Sequence, residues 1–134
     1  MTREFFGPLD YREEVRPTDR EKVRGLVESS GFFYPEEADV AVELVDERLA
    51  KGTGSGYFFV FAEKSGSVVA YSCFGPIACT RGSYDLYWIA VDDKLRGQGL
   101  GHALLKRTED AIFGLGGRRI YVETSSRAQY EPTR

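Results

Sequence analysis

Apolar positions recur along this chain with two periods, and the switches between them lay out its elements. After an irregular arm through Pro8, residues 11–16 read as a short first strand stopped by Pro17. Thr18 with Glu21 makes a capping box, which predicts a helix to about Ser29 with Gly31 as its stop. A second helix is signalled by Pro35 near its first turn and by Ala38, Ala41, Val42, Val45 and Leu49 on one face, and it ends before Gly52. Gly52-Thr53-Gly54-Ser55-Gly56 reads as a flexible connector and not a domain boundary, because neither flank closes a core alone. Residues 57–63 and 68–74 then form a hairpin across Lys64-Ser65-Gly66-Ser67, and a less regular loop over 75–83 leads to a strand over 84–91. A helix over 102–113, closed by Gly114 and Gly116-Gly117, precedes a last strand over 119–123. The expected fold is α/β (α+β), in the order β-α-α-β-β-β-α-β, with residues 1–134 forming a single domain.

Composition narrows the function without naming it. A chain of 134 residues buries enough core to fold without staples, and a net charge of −3 with scattered basic residues gives no electrostatic footprint for nucleic acid. Arg118-Arg119 is too short to change that. Cys73 and Cys79 fit neither a redox pair nor a zinc site when only His102 is available to join them, so no metal is expected and a reducing, cytoplasmic setting is the default. No apolar run approaches a membrane span, and the Phe5-Phe6 pair behind Met1-Thr2-Arg3-Glu4 is not a signal sequence.

The chemistry is concentrated in Arg96-Gly97-Gln98-Gly99-Leu100-Gly101, between an apolar strand and a helix. Glycines let the backbone turn tightly and gather N–H groups toward one point, and the helix adds unpaired amides and the positive end of its dipole. An anion, and a phosphate in particular, suits such a cradle. A Walker loop is excluded because Gly-Lys-Ser/Thr is absent, and the dinucleotide fingerprint fails because His102 stands where its last glycine belongs. The pattern Arg/Gln-x-x-Gly-x-Gly/Ala is met in register by Arg96, Gly99 and Gly101. Together with Asp85-Leu86-Tyr87-Trp88-Ile89-Ala90-Val91, then Asp92-Asp93, then Ala103-Leu104-Leu105 beyond the glycines, it resembles the central motif of the GNAT superfamily of acyl-CoA-dependent N-acyltransferases.

That resemblance covers most of the chain. It implies a mixed, largely antiparallel sheet flanked by helices, and transfer of an acetyl group from acetyl-CoA to a primary amine by direct attack in a ternary complex. It places the pyrophosphate of coenzyme A on the N–H groups of Gln98, Gly99, Leu100, Gly101 and His102, with Arg96 and Gly97 shaping the loop, and the pantetheine arm along Ile89, Ala90 and Val91. Tyr130 falls where relatives hold a side chain against that arm, and His102 where they place a residue facing phosphate or solvent. Asp85 matches the family's acidic base on the fourth strand, and alternation would set Asp85, Tyr87 and Ile89 on one face, with Tyr87 and Glu123 as neighbours able to position water. The loop between the first two helices sets acceptor choice in this family, which points to Phe32, Phe33 and Tyr34; the acceptor is a small-molecule amine or a protein amino group. The family continues with a further helix and two strands, whose opening residues 130–134 resemble. A C-terminally shortened fold is therefore expected, with an open last strand that favours self-association as a homodimer or marginal stability. The alternatives are a coenzyme A-binding or interaction module with weak catalysis, or one piece of a longer enzyme.

Overall fold

Strand residues need partners for their backbone groups and cover for their apolar faces, and the chain supplies both with one sheet between two helical layers. A computed structural model describes residues 9–30, 33–95, 97 and 99–122. Its five strands are β1 (Asp10–Arg12), β2 (Phe58–Lys64), β3 (Ser67–Pro76), β4 (Ser83–Val91) and β5 (Arg119–Val122), lying side by side in that order. All neighbours are antiparallel except β4 and β5, which are parallel because α3 (Leu100–Gly114) connects them as a crossover. The other helices, α1 (Asp19–Ser30) and α2 (Pro35–Lys51), lie between β1 and β2 in sequence, and the expected element order is met.

Alternation along the strands sorts the core. Phe59 and Phe61 of β2, Tyr71 and Cys73 of β3 and Ala90 of β4 pack under Val23 and Val27 of α1 and Ala38, Ala41 and Val45 of α2. Their neighbours Val60, Ala62, Ala70, Phe74 and Leu86 face the opposite way, toward Leu100, Leu104 and Ile112 on α3. The spacing of those α3 residues leaves Thr108 on the same stripe, also buried. Its hydroxyl donates to the Leu104 carbonyl (2.8 Å) and lies 2.7 Å from Ser72 Oγ of β3, so a polar chain ties helix to sheet inside the apolar layer.

Three local expectations differ from the structure. The first strand is shorter than residues 11–16, because the backbone from Glu13 on turns away toward α1. Hydrogen bonds at the start of α1 run through Asp19 and not Thr18. The Asp19 carboxylate is only 1% exposed; it accepts from the Arg16 N–H (2.7 Å) and from both terminal nitrogens of Arg12 (2.8 and 3.0 Å). Arg12 also donates to Glu63 of β2 (2.8 and 3.0 Å) and lies over the Phe61 ring, clamping the first strand, the first helix and the sheet together. Finally, Gly52–Ser55 is a 3₁₀ turn and not a flexible connector, closed by the Gly56 N–H on the Thr53 carbonyl (3.2 Å).

Candidate active site

The centre of β4 carries an irregularity that sets every side chain near it. Cys73 of β3 pairs with Trp88, yet the next β3 residue, Phe74, pairs with Leu86, so Tyr87 is an extra residue without a partner opposite. Such a bulge bends the strand and reverses the alternation beyond it. Before it, Tyr84 and Leu86 face α3; after it, Ile89 and Val91 do, while Trp88 and Ala90 turn toward α1 and α2. Asp85 and Ile89 are therefore on opposite faces of the sheet, which corrects the expectation that Asp85, Tyr87 and Ile89 share one. That expectation counted every second residue, and the bulge adds one to the count.

The described part of β5 ends opposite Leu86, so residues 87–91 have β3 on one edge and no described strand on the other. Ile89, Ala90 and Val91, the expected pantetheine contacts, lie on this half of β4. The strand runs directly into the glycine loop. Gly97 and Gly99 both have φ near +84°, a conformation that ordinary side chains rarely adopt. Gly99 is the N-cap of α3 with no side-chain cap, and the first helical hydrogen bond runs from the Ala103 N–H to the Gly99 carbonyl (3.0 Å). The N–H groups of Leu100, Gly101 and His102 consequently have no helical acceptor. Val91 lies against the first turn, with its Cγ2 3.6 Å from where a Cβ on Gly101 would stand. Among the described residues, the half of β4 that no second strand covers and the start of α3, which has no side-chain cap, thus adjoin.

On the α1 and α2 face, Asp85 is half-buried, opposite Gly75 on one side and Tyr121 of β5 on the other. Tyr87 meets Tyr57 edge-on at 5.7 Å, and Phe33 of the α1–α2 loop meets Trp88 at 4.9 Å. Tyr34 is exposed at the N-cap of α2, where its N–H donates to Glu37 (2.7 Å). A Cβ on Gly75 would stand 2.1 Å from the Gly56 carbonyl oxygen and 3.2 Å from the Tyr87 ring, so the 3₁₀ turn rests on β3 at that point. Tyr57, Tyr121 and Gly75 are absent from the residues expected at the site. Gly75 carried a readable signal, since a glycine inside an apolar run marks a bulge or a close backbone approach. Phe32, Arg96, Gln98, Glu123 and Tyr130 lie outside the described residues. Among the described residues no group of His, Cys, Asp and Glu is arranged to hold a metal, and no helix is long and apolar enough to cross a membrane.

Comparison with known proteins identifies the family and the fold. The sequence model of the acetyltransferase (GNAT) family matches residues 22–131. A GNAT-family protein of Desulfovibrio desulfuricans shares 49% identity and superposes with a TM-score of 0.91 over 95% of this chain and 80% of that one. A GNAT-family acetyltransferase of Brucella melitensis, solved with acetyl-CoA, has the same fold at 22% identity, with a TM-score of 0.70 over 94% of this chain and 81% of that one. Amino-acid acetyltransferases of Pseudomonas aeruginosa and Pseudomonas paraeruginosa are 30% identical over 119 residues, which is 88% of this chain and 26% of theirs. The chain spans about a quarter of the length of these curated relatives.

Proposed function

The chain belongs to the acetyltransferase (GNAT) family, and from that premise we propose that it transfers an acetyl group from acetyl-CoA to a primary amine by direct attack within a ternary complex. The observation that carries this reading is the junction between the half of β4 left uncovered by the described residues and the glycine-led start of α3, which has no side-chain cap. The cradle suits a pyrophosphate through the N–H groups of Gly99, Leu100, Gly101 and His102, and the edge at Ile89, Ala90 and Val91, which no described strand covers, suits an amide-rich arm. Acetyl-CoA held by the Brucella relative on the same fold supports the choice of cofactor.

In this reading the acceptor nitrogen bonds to the thioester carbon and the C–S bond breaks, with coenzyme A leaving as its thiolate, which takes up a proton from water. The ammonium proton leaves toward Asp85, and a backbone N–H of β4 faces the oxygen that gains negative charge. Tyr87, two residues along, positions the amine or its water. Asp85 lies on the face away from Ile89, so the amine approaches from the α1 and α2 side, which is also where Phe33 sits. Calorimetric titration with coenzyme A combined with acetyl transfer to a panel of amines tests the proposal. Asp85→Asn is expected to lower turnover by roughly 10²-fold with coenzyme A affinity unchanged. An unaltered pH–rate profile in that variant would remove Asp85 from the mechanism, and failure of coenzyme A to bind would remove the activity altogether.

A further inference from the structure

We infer that the surface around Asp85 selects an acceptor whose ammonium sits on an apolar body and carries no neighbouring carboxylate; this rests on the acyl-transfer reading and specifies its second substrate. Asp85 is half-buried, and among the described residues nothing donates to it. A carboxylate in that setting favours a mobile counter-charge. What surrounds it is aromatic. Tyr87, 40% exposed, stands two residues away on the same strand and is braced edge-on by Tyr57, while Tyr121, 51% exposed, is its register partner on β5. Gly75 on the opposite side is covered by the Gly56 carbonyl and the Tyr87 ring, so the side of the carboxylate toward β3 is closed by backbone and aromatic carbon with no charged group. Tyrosine faces attract cations and cover apolar carbon, and a carboxylate among them complements an ammonium with a hydrocarbon tail.

A second carboxylate next to that ammonium would face Asp85, and among the described residues no cation is held beside it to compensate. Arg48 is committed to the Tyr57 carbonyl (2.7 Å) and to the Phe58 ring. Arg119, opposite Ser83 and two residues along β5 from Tyr121, is displaced by roughly 7 Å of strand. Zwitterionic amino acids are thus the disfavoured class here, and simple arylalkyl amines the favoured one.

Phenethylamine and phenylalanine share one body and differ by that carboxylate, so calorimetric titration of both into the 134-residue protein, with and without coenzyme A, decides the matter. Phenethylamine is expected to bind at least tenfold more tightly. Tyr121→Leu and Tyr87→Leu should each weaken it about three- to tenfold, and Tyr121→Phe, which keeps the ring, should retain it. Coenzyme A affinity serves as the check that each variant is folded. Equal or tighter binding of phenylalanine, unchanged affinity in a folded Tyr121→Leu, or uptake of coenzyme A with no uptake of phenethylamine overturns the inference. Binding of phenethylamine without acetyl transfer upholds it and counts against the enzymatic reading alone.

Discussion

Burial gives otherwise identical residues different chemistry in this chain. Cys73 lies beneath α1 and α2, and desolvation pushes its thiol well above the usual range, while Cys79 sits on the exposed loop before β4. The thiolate is the nucleophile, so alkylation of the native protein at neutral pH should label Cys79 and spare Cys73. Mass spectrometry is expected to count one adduct natively and two in denaturant; two native adducts would contradict the packing around Tyr71. Arg12 shows the opposite case, a half-buried charge held by partners. Its hydrogen bonds to Asp19 raise the guanidinium pKa, with Glu63 adding to the effect. A base whose folded pKa is raised contributes stability below its unfolded value and loses it only as pH climbs through the higher one, so the clamp persists across the neutral range. Arg12→Leu strands the Asp19 carboxylate away from water and should cost about 3 kcal/mol, read as a lower urea midpoint with an unchanged slope.

Elements in this fold were legible wherever a period ran uninterrupted. The apolar faces of α1 and α2, the proline that opens α2, the hairpin turn and the strand before the glycines all follow from sequence, whereas the start of α1 is set by Asp19 and not by the Thr18 cap that the sequence suggests. The hairpin shows why, since Ser65 and Gly66 both take positive φ and close β2 onto β3 in two residues. Legibility failed where tertiary contact overrode local pattern. The bulge at Tyr87 leaves no mark in an alternating apolar strand, and the 3₁₀ turn at Gly52–Ser55 is held by the close approach of Gly56 to Gly75, a contact between segments far apart in sequence. The Ser72–Thr108 pair is also long-range. Replacing Thr108 by Val should leave the Ser72 hydroxyl unsatisfied in an apolar layer and cost about 2 kcal/mol. Adding Ser72→Ala should recover part of that loss. A double-mutant cycle with no coupling energy would show that the two hydroxyls do not act as a pair.

At the scale of the molecule, the proposed cofactor site is a joint between elements and belongs to no single one. The glycine loop was readable because the role proposed for it lies in backbone N–H groups, which need small residues at fixed spacing; the proposed acceptor side was less so, because Asp85, Tyr121 and Gly75 come from three strands and meet only through register. A ligand lying across the joint would bind the folded chain and not the unfolded one, and so would stabilise it. At a hundredfold excess over its dissociation constant the gain is about 2.7 kcal/mol. For a chain of this length that corresponds to a rise in Tm of roughly 8 °C. Coenzyme A is expected to give that rise, and its dephosphorylated pantetheine portion much less, because the portion omits the pyrophosphate proposed to sit at the start of α3. Gly99→Val separates the loop from the rest. Among the described residues no atom crowds a Cβ there, so the substitution acts through φ, forcing the N-cap out of its left-handed conformation and turning the N–H groups of Leu100 and Gly101 away from a common point. The variant should melt within a few degrees of the parent and show little shift with coenzyme A. A full shift in Gly99→Val would place the pyrophosphate elsewhere than on this loop.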